Sequence, residues 1–486
     1  MNLLRRIEKA YSFWFLFLTS IFFLLLRIPS LFEPYWYGDE GVYQAVAILI
    51  NSGADLYSGA WENKPPLLLI IYALLNSDQF LIRSLSLIFG IVSIWFFFFI
   101  SKKLFTRSKY APFVSTLFYT LVFGTRIIEG NIANAENFMI LPILIGAFLV
   151  LSGENLKKSH QALTYFSAGL LLSFAFLTKI VAVFDFLAFG FYLFINTLKD
   201  FKNGLTYKIL PFILGFLAPI FITITYFFFT DHFKQFTEAF LFGNISYVGL
   251  NNNLIIPQGF LFLKAFLLFI FLLFIFLYRN KIDKKILFIS VWFAFSIFDA
   301  FFSQRPYTHY LIMLLPAFSL MIGAIIEFKK ERLALGTYLL ITFIVVSLVF
   351  DFKGKIVDYY KNFILYTTNN INTDSYREFF DINTPIDYKI SSYIKSNTNN
   401  SDKVFIWGNN SQVYKLSGKT PLFRYTVAYH ITGFPTGIEE MAKALREQEP
   451  KLIVIMPNAN EKFPLALDNY QEKIILDGAI IYERIF

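Results

Sequence analysis

Tyr35-Trp36-Tyr37-Gly38-Asp39-Glu40-Gly41-Val42-Tyr43-Gln44 is a short acidic and aromatic stretch in a chain that is otherwise mostly apolar. It follows the first long apolar run, Ser12 to Leu31, and comes shortly before Glu62-Asn63-Lys64-Pro65-Pro66. Two adjacent carboxylates where an apolar run ends need a reason. That reason depends on whether the run crosses a membrane, and on which side its far end emerges.

The run is about twenty residues long and is broken only by Arg27, enough to span a hydrocarbon core of ~30 Å. A secretory signal would have a shorter apolar core followed by a small-x-small cleavage site. Arg27-Ile28-Pro29-Ser30-Leu31-Phe32 supplies no such site. The expectation is an uncleaved first helix with Arg5, Arg6 and Lys9 on the inside. Composition agrees: of 486 residues 56% are hydrophobic, 63 are Phe and only 16% are charged, against about 25% in soluble proteins. Mean hydropathy is +0.55. A soluble globule could not hide this much apolar surface. The net charge of +9 then belongs to cytoplasmic loops, and no signature of nucleic-acid binding accompanies it. The absence of cysteine excludes disulfides, thiolate nucleophiles and Cys-metal sites. Four histidines, His160, His232, His309 and His430, leave little for a His-rich metal centre.

Ten further apolar runs follow, at 79–101, 111–127, 136–152, 162–178, 180–198, 208–230, 256–278, 285–302, 309–327 and 333–350, for about 11 transmembrane helices. Segment 66–75 is too short to cross and opens on two prolines, which suit a helix start; it reads as an interfacial helix. Gly41 to Asn51 is a candidate for another. Alternating from an inside N-terminus puts nineteen Lys and Arg in cytoplasmic segments. Up to Phe350 only six lie in outer segments: Lys64, Arg83, Arg126, Lys179, Lys234 and Arg305. The positive-inside bias therefore orients the chain and places 35–66 outside. After Phe350 the composition turns polar. Lys403 to Gly408 and Lys451 to Met456 read as buried strands, Gly437 to Gln448 as a helix, and Lys473 to Phe486 as a hairpin about Asp477-Gly478. The expected architecture is an α-helical polytopic membrane protein in the plasma (inner) membrane. It has a membrane domain over 1–350, a first outer loop over 32–78 and an extracytoplasmic α/β domain over 351–486.

The outer ends of the helices collect Asp39, Glu40, Glu62, Lys64, Arg83, Arg126, Glu129, Glu136, Lys179, Arg305 and His309. Ionisable groups at such depth are costly unless paired or used. Any one of them can be interface decoration, a snorkelling cation or a balancing carboxylate. The set is harder to explain that way, because opposite charges from separate segments fall on one face. Asp39-Glu40 is the candidate general base: a carboxylate beside aromatic rings and near lipid is partly desolvated, which raises its pKa toward useful values. Lys64 and Arg305, cations beside apolar surface, are candidates for holding a phosphate. Lys179 in Leu177-Thr178-Lys179-Ile180 fits a short turn between spans equally well. Asp185 lies inside a span without an assigned partner.

These residues carry a resemblance. Asp-Glu-x-x-Tyr after the first span (Asp39, Glu40, Tyr43), Lys64-Pro65-Pro66 and the arginine of Phe80-Leu81-Ile82-Arg83-Ser84 resemble the GT-C membrane glycosyltransferases. They point in particular to the bacterial protein O-mannosyltransferase and aminoarabinose-transferase group. Arg126-Ile127-Ile128-Glu129-Gly130-Asn131 with Ala135-Glu136-Asn137, Leu177-Thr178-Lys179, and Arg305-Pro306-Tyr307-Thr308-His309-Tyr310 with Leu314-Leu315-Pro316 follow in matching order. The resemblance covers about residues 10–330. The Trp-Trp-Asp motif of oligosaccharyltransferases is absent.

The resemblance implies a polyprenyl-phosphate-linked sugar as donor and a protein, lipid or glycan as acceptor. Asp39 would orient or deprotonate the acceptor hydroxyl, with Glu40 as a supporting contact to a neighbouring Arg or Lys. Lys64, then Arg305 and Lys179, would stabilise the departing lipid phosphate, with Tyr43, Arg83, Arg126, Glu129, His309 and Tyr310 completing the substrate site. Some relatives hold a divalent metal between a first-loop Glu and a late-loop His, here Glu62 and His309, although two ligands do not specify a metal site. The alternative is a polytopic transporter or flippase of a lipid-linked or anionic substrate. That reading calls for ionisable groups near the midplane and related halves, whereas these charges gather at one face and the halves show no evident similarity.

Overall fold

The computed structural model describes residues 2–244, 260–303, 305–352, 356–457, 459 and 462–485. The chain divides into two compact units, one of residues 1–28, 85–228 and 242–356 and one of residues 29–84, 229–241 and 357–486.

The first unit is helical and apolar. Counting the first span, eight helices among the described residues are long and apolar enough to cross a membrane: Ala10–Leu31, Gln79–Leu104, Ala135–Gly153, Lys158–Thr178, Ile180–Phe229, Leu261–Tyr278, Thr308–Glu327 and Arg332–Val349. Shorter helices stand at Ala111–Gly124 and Lys284–Ala300, where the sequence also reads spans. The beginning of the expected 256–278 span lies outside the described residues. Ile180–Phe229 is helical over 50 residues, yet it is not one rod. Phe186 stacks on Phe212 at 4.8 Å and on Phe216 at 3.9 Å. In a straight helix residues thirty apart lie about 45 Å apart. The chain therefore doubles back between them, through a 3-10 turn at Leu198–Asp200 and a π turn at Leu205–Ile209. Gly204 makes the reversal sterically feasible, since a Cβ there would overlap Thr197. Close approach continues at Gly169 and Gly215, where a Cβ would overlap the carbonyl oxygens of Phe212 and Phe166 respectively. Small residues let membrane helices touch backbone to backbone in this way.

The second unit joins the first loop to the C-terminal segment. After the first helix of the chain, α1 (Asn2–Arg27), the loop supplies helix α2 (Gly38–Asn51) and helix α3 (Pro66–Leu74). The C-terminal segment forms strands β1 (Val404–Trp407), β2 (Leu452–Ile455), β3 (Tyr470–Leu476) and β4 (Ala479–Arg484) in the order β1-β2-β4-β3. Strands β1 and β2 are parallel, joined by a crossover containing the helix Gly437–Gln448, and the rest is antiparallel. Val404, Ile406, Leu452, Val454 and Ile481 bury one face of the sheet together with Ile390 and Ile394 of the helix Thr384–Asn397. Ala45 of α2 belongs to that same core. Gly41 sits so close to Gln412 that a Cβ would come within 2.7 Å of its Oε1.

Gln412 is held in turn by a buried carboxylate. Asp387 accepts the Gln412 amide at 2.7 Å and the Asn410 amide at 2.8 Å. Burial nevertheless pushes its carboxyl up to about 7. Unfolded, the group titrates near ~3.9. The folded state thus binds the proton more tightly, and this group's contribution to stability is fully present below the unfolded pKa and lost as pH rises toward 7. The melting temperature of the wild type relative to Asp387→Asn is expected to shift in the wild type's favour as pH falls from about 8 to about 5. An unchanging difference would contradict the burial of a titrating carboxyl.

Candidate active site

In the second unit the site grows from the first turn of α2. Carboxylates there suit the positive end of the helix dipole, and Asp39 and Glu40 both occupy it. Consecutive helical residues point about 100° apart, so the two acids meet different surroundings. Glu40 forks the guanidinium of Arg83, accepting from Nε at 3.1 Å and Nη2 at 2.6 Å. Arg83 Nη1 also lies 2.9 Å from Glu33 and donates to the Ser30 carbonyl at 2.7 Å. Glu33 further accepts from the Trp36 indole at 2.8 Å and the Tyr359 hydroxyl at 2.6 Å. Arg83 and Glu33 side chains are wholly buried. Glu40 is thus committed to a buried network. Asp39 is half-buried, and its side chain makes no hydrogen bond or ion pair with any described residue.

Lys64 stands nearby in the same unit. Its Nζ donates to Asn63 Oδ1 at 2.8 Å, lies 3.4 Å from Glu62 Oε1, and sits 5.9 Å from the Tyr43 ring centre. Tyr43, one helical turn after Asp39, is buried edge-on against Tyr72. Burial raises the Glu62 carboxyl above its usual range; Lys64 opposes the shift and the charge of Asp39 adds to it.

The membrane unit holds a second set. Lys179 pairs with the buried Glu136 and lies 4.5 Å from the Tyr310 ring centre. His309 Nδ1 is 3.0 Å from Glu129 Oε2, and its Nε2 is 4.0 Å from Glu136 Oε1. Thr308 donates to the other Glu129 oxygen at 2.6 Å. Glu129 adopts a left-handed backbone at φ 56° that turns the 126–131 segment. The second oxygen of Glu136 is buried without a partner. Arg126 is half-buried and Arg305 exposed. Deeper in the unit, Asp185 accepts from the Trp292 indole at 2.7 Å.

The structure thus links Glu40 with Arg83, Lys64 with Glu62 and Tyr43, and Lys179 with Glu136, Glu129, His309 and Tyr310 through shared contacts. Sequence reading passed over Glu33 and left His430 as one histidine among four. The only signal for Glu33 was an acid directly after the first span, in Leu31-Phe32-Glu33-Pro34. Glu62 and His309, the two candidate metal ligands, each have partners within their own unit. His309 turns both ring nitrogens toward Glu129 and Glu136, while Glu62 faces Lys64 on one side and lies 3.9 Å from His430 on the other. Among the described residues no group of three or more His, Asp or Glu is arranged around a common metal position.

Part of the chain is similar in sequence to PMT-type glycosyltransferases, and its fold is similar to that of ArnT. Residues 64–224 match the family described as dolichyl-phosphate-mannose-protein mannosyltransferase. The fold is similar to that of ArnT from Cupriavidus metallidurans bound to undecaprenyl phosphate, with a TM-score of 0.57 over 98% of both chains at 9% identity. For the apo state of that protein the TM-score is 0.58 at 13% identity, over 97% of this chain and 98% of that one. The archaeal oligosaccharyltransferase AglB from Archaeoglobus fulgidus, in complex with an inhibitory peptide and a dolichol-phosphate, gives a TM-score of 0.51 at 12% identity, over 92% of this chain and 69% of that one. No curated protein matches the chain in sequence.

Removing one partner of a buried ion pair leaves an uncompensated charge and costs about 3–5 kcal/mol. Arg83→Met strands two carboxylates at once. It is expected to lower the melting temperature sharply in detergent or to prevent recovery of folded protein, and a wild-type melting curve would contradict the network's structural role.

Proposed function

We propose that this chain is an inverting glycosyltransferase that moves a sugar from a polyprenyl-phosphate donor to an acceptor hydroxyl at the extracytoplasmic face. The proposed topology has eleven crossings and a cytoplasmic N-terminus, following the positive-inside bias of the loops. The membrane helices and the fold shared with ArnT support a lipid-linked donor. The observation that carries the mechanism is the contrast within one dipeptide: Glu40 is locked on Arg83 while Asp39 has no hydrogen-bond or ion-pair partner among the described residues.

A free carboxylate on a rigidly anchored helix turn is suited to general-base work. Asp39 takes the proton of the acceptor hydroxyl. The hydroxyl oxygen forms its bond to the anomeric carbon while the bond from that carbon to the phosphate oxygen breaks. The electron pair leaves with the lipid phosphate, which needs no proton to depart, only cations for its growing charge. Lys64 suits that task as a cation in the same unit as Asp39, with its Nζ beside Asn63 Oδ1 at 2.8 Å and Glu62 Oε1 at 3.4 Å. Lys179, Arg305 and Arg126 are the further candidate phosphate cations. One displacement inverts the anomeric configuration. General-base assistance contributes roughly 10²–10⁴ in rate, and positioning adds to it.

Asp39→Asn is expected to reduce transfer by at least about 100-fold with normal expression and membrane insertion; near wild-type transfer would refute the assignment of the base. Lys64→Ala is expected to weaken donor use by about 1.5–3 kcal/mol, read as a lower kcat/KM for the lipid-linked donor. An unchanged kcat/KM would remove Lys64 from the phosphate site.

A further inference from the structure

Residues 424–434 lie in the C-terminal segment, beyond every motif that points to sugar transfer. They close over the loop that carries Lys64. The Trp61 backbone N–H donates to the Arg424 carbonyl at 3.0 Å. The Trp61 indole meets the rings of His430 and Phe434 edge-on, each with centroids 4.6 Å away. The next residue is Glu62. One of its carboxylate oxygens lies 3.4 Å from Lys64 Nζ and the other 3.9 Å from His430 Nε2. His430 therefore backs the side of Glu62 turned away from Lys64.

The ring is buried, and its Nδ1 has no hydrogen-bond partner. Packing against Trp61 needs only a flat apolar ring, and a buried unpaired polar atom costs stability. An imidazole here calls for a role beyond packing. Burial, together with the charge of Lys64, holds the ring neutral by pushing its pKa down to about 3. A cation at this position would compete with Lys64 for Glu62. A neutral ring keeps a polar nitrogen, Nε2, facing the second oxygen of Glu62 and leaves Lys64 as the cationic partner of that carboxylate.

We infer that His430 is a positioning residue of the transfer reaction, fixing Lys64 for the donor phosphate through Glu62. The inference rests on the reading of Lys64 as a phosphate ligand. It gives the C-terminal segment a part in the site rather than a separate task.

The test is steady-state transfer by the purified full chain in lipid nanodiscs, with a polyprenyl-phosphate-linked sugar as the varied substrate. His430→Gln keeps a polar nitrogen near the Nε2 position, whereas His430→Asn keeps one nearer Nδ1. His430→Asn is expected to raise the donor KM about fivefold to tenfold, the size of one lost polar contact, with kcat within about twofold. His430→Gln is expected to stay near wild type. The ring-keeping His430→Phe, which preserves the Trp61 contact, should match His430→Asn and covers failure of that variant to fold. In a Glu62→Gln background none of these changes should alter KM further, because residues acting in series are not additive. Equal KM values for the Gln and Asn variants, or full effects of His430 changes in the Glu62→Gln background, would overturn the inference while leaving sugar transfer intact. A wild type that transfers no sugar would overturn the functional reading and this inference with it.

Discussion

One guanidinium between two carboxylates organises the first loop of the second unit. Arg83 stands near the start of a membrane-length helix, and Glu33 and Glu40 close on it from the chain that follows the first span. All three side chains are buried, so separating them would expose unpaired charge to an apolar setting. The trio therefore fixes the first turn of α2 against the root of the second span. Helix geometry then decides the rest: with Glu40 turned toward Arg83, its neighbour Asp39 must point elsewhere. A structural acid and a free acid arise from adjacent residues because one is held.

The same helix is pinned at a second level. Ala45 enters the core of the C-terminal sheet, Gly41 abuts Gln412, and Trp61 is enclosed by aromatic rings of the 425–434 segment. The first loop is thus no free connector. It is a layer of the second unit, held by burial on one side and by ion pairing on the other. Preorganisation of this kind suits the base and the phosphate ligand proposed above, since neither would have to be ordered when substrate arrives.

Much of this was legible in the sequence. The long apolar helices, the short Pro-Pro helix at 66, the strands at 404 and 452 and the Asp477-Gly478 turn follow local patterns, whereas the expected runs at 111–127 and 285–302 form shorter helices. The reversal within Ile180–Phe229 was legible as the break between the runs 180–198 and 208–230; what was not legible is that helical structure continues through the polar residues Lys199, Asp200 and Lys202. Tertiary partners were illegible. Nothing local in Leu31-Phe32-Glu33-Pro34 tells that Glu33 shares Arg83 with Glu40. Nothing near Ala428–Gly433 tells that His430 backs Glu62, since that contact depends on how distant chain segments fold together. The neutral state of that histidine is likewise a product of burial and of Lys64, not of its sequence neighbours.

The central claim is a single displacement at an anomeric carbon attached to a lipid phosphate. Its most direct measurement is the anomeric configuration of the product, read by NMR after transfer from a synthetic polyprenyl-phosphate sugar of defined configuration by the purified chain. The account predicts inversion. A product with retained configuration, or no sugar transferred from any such donor, would contradict it.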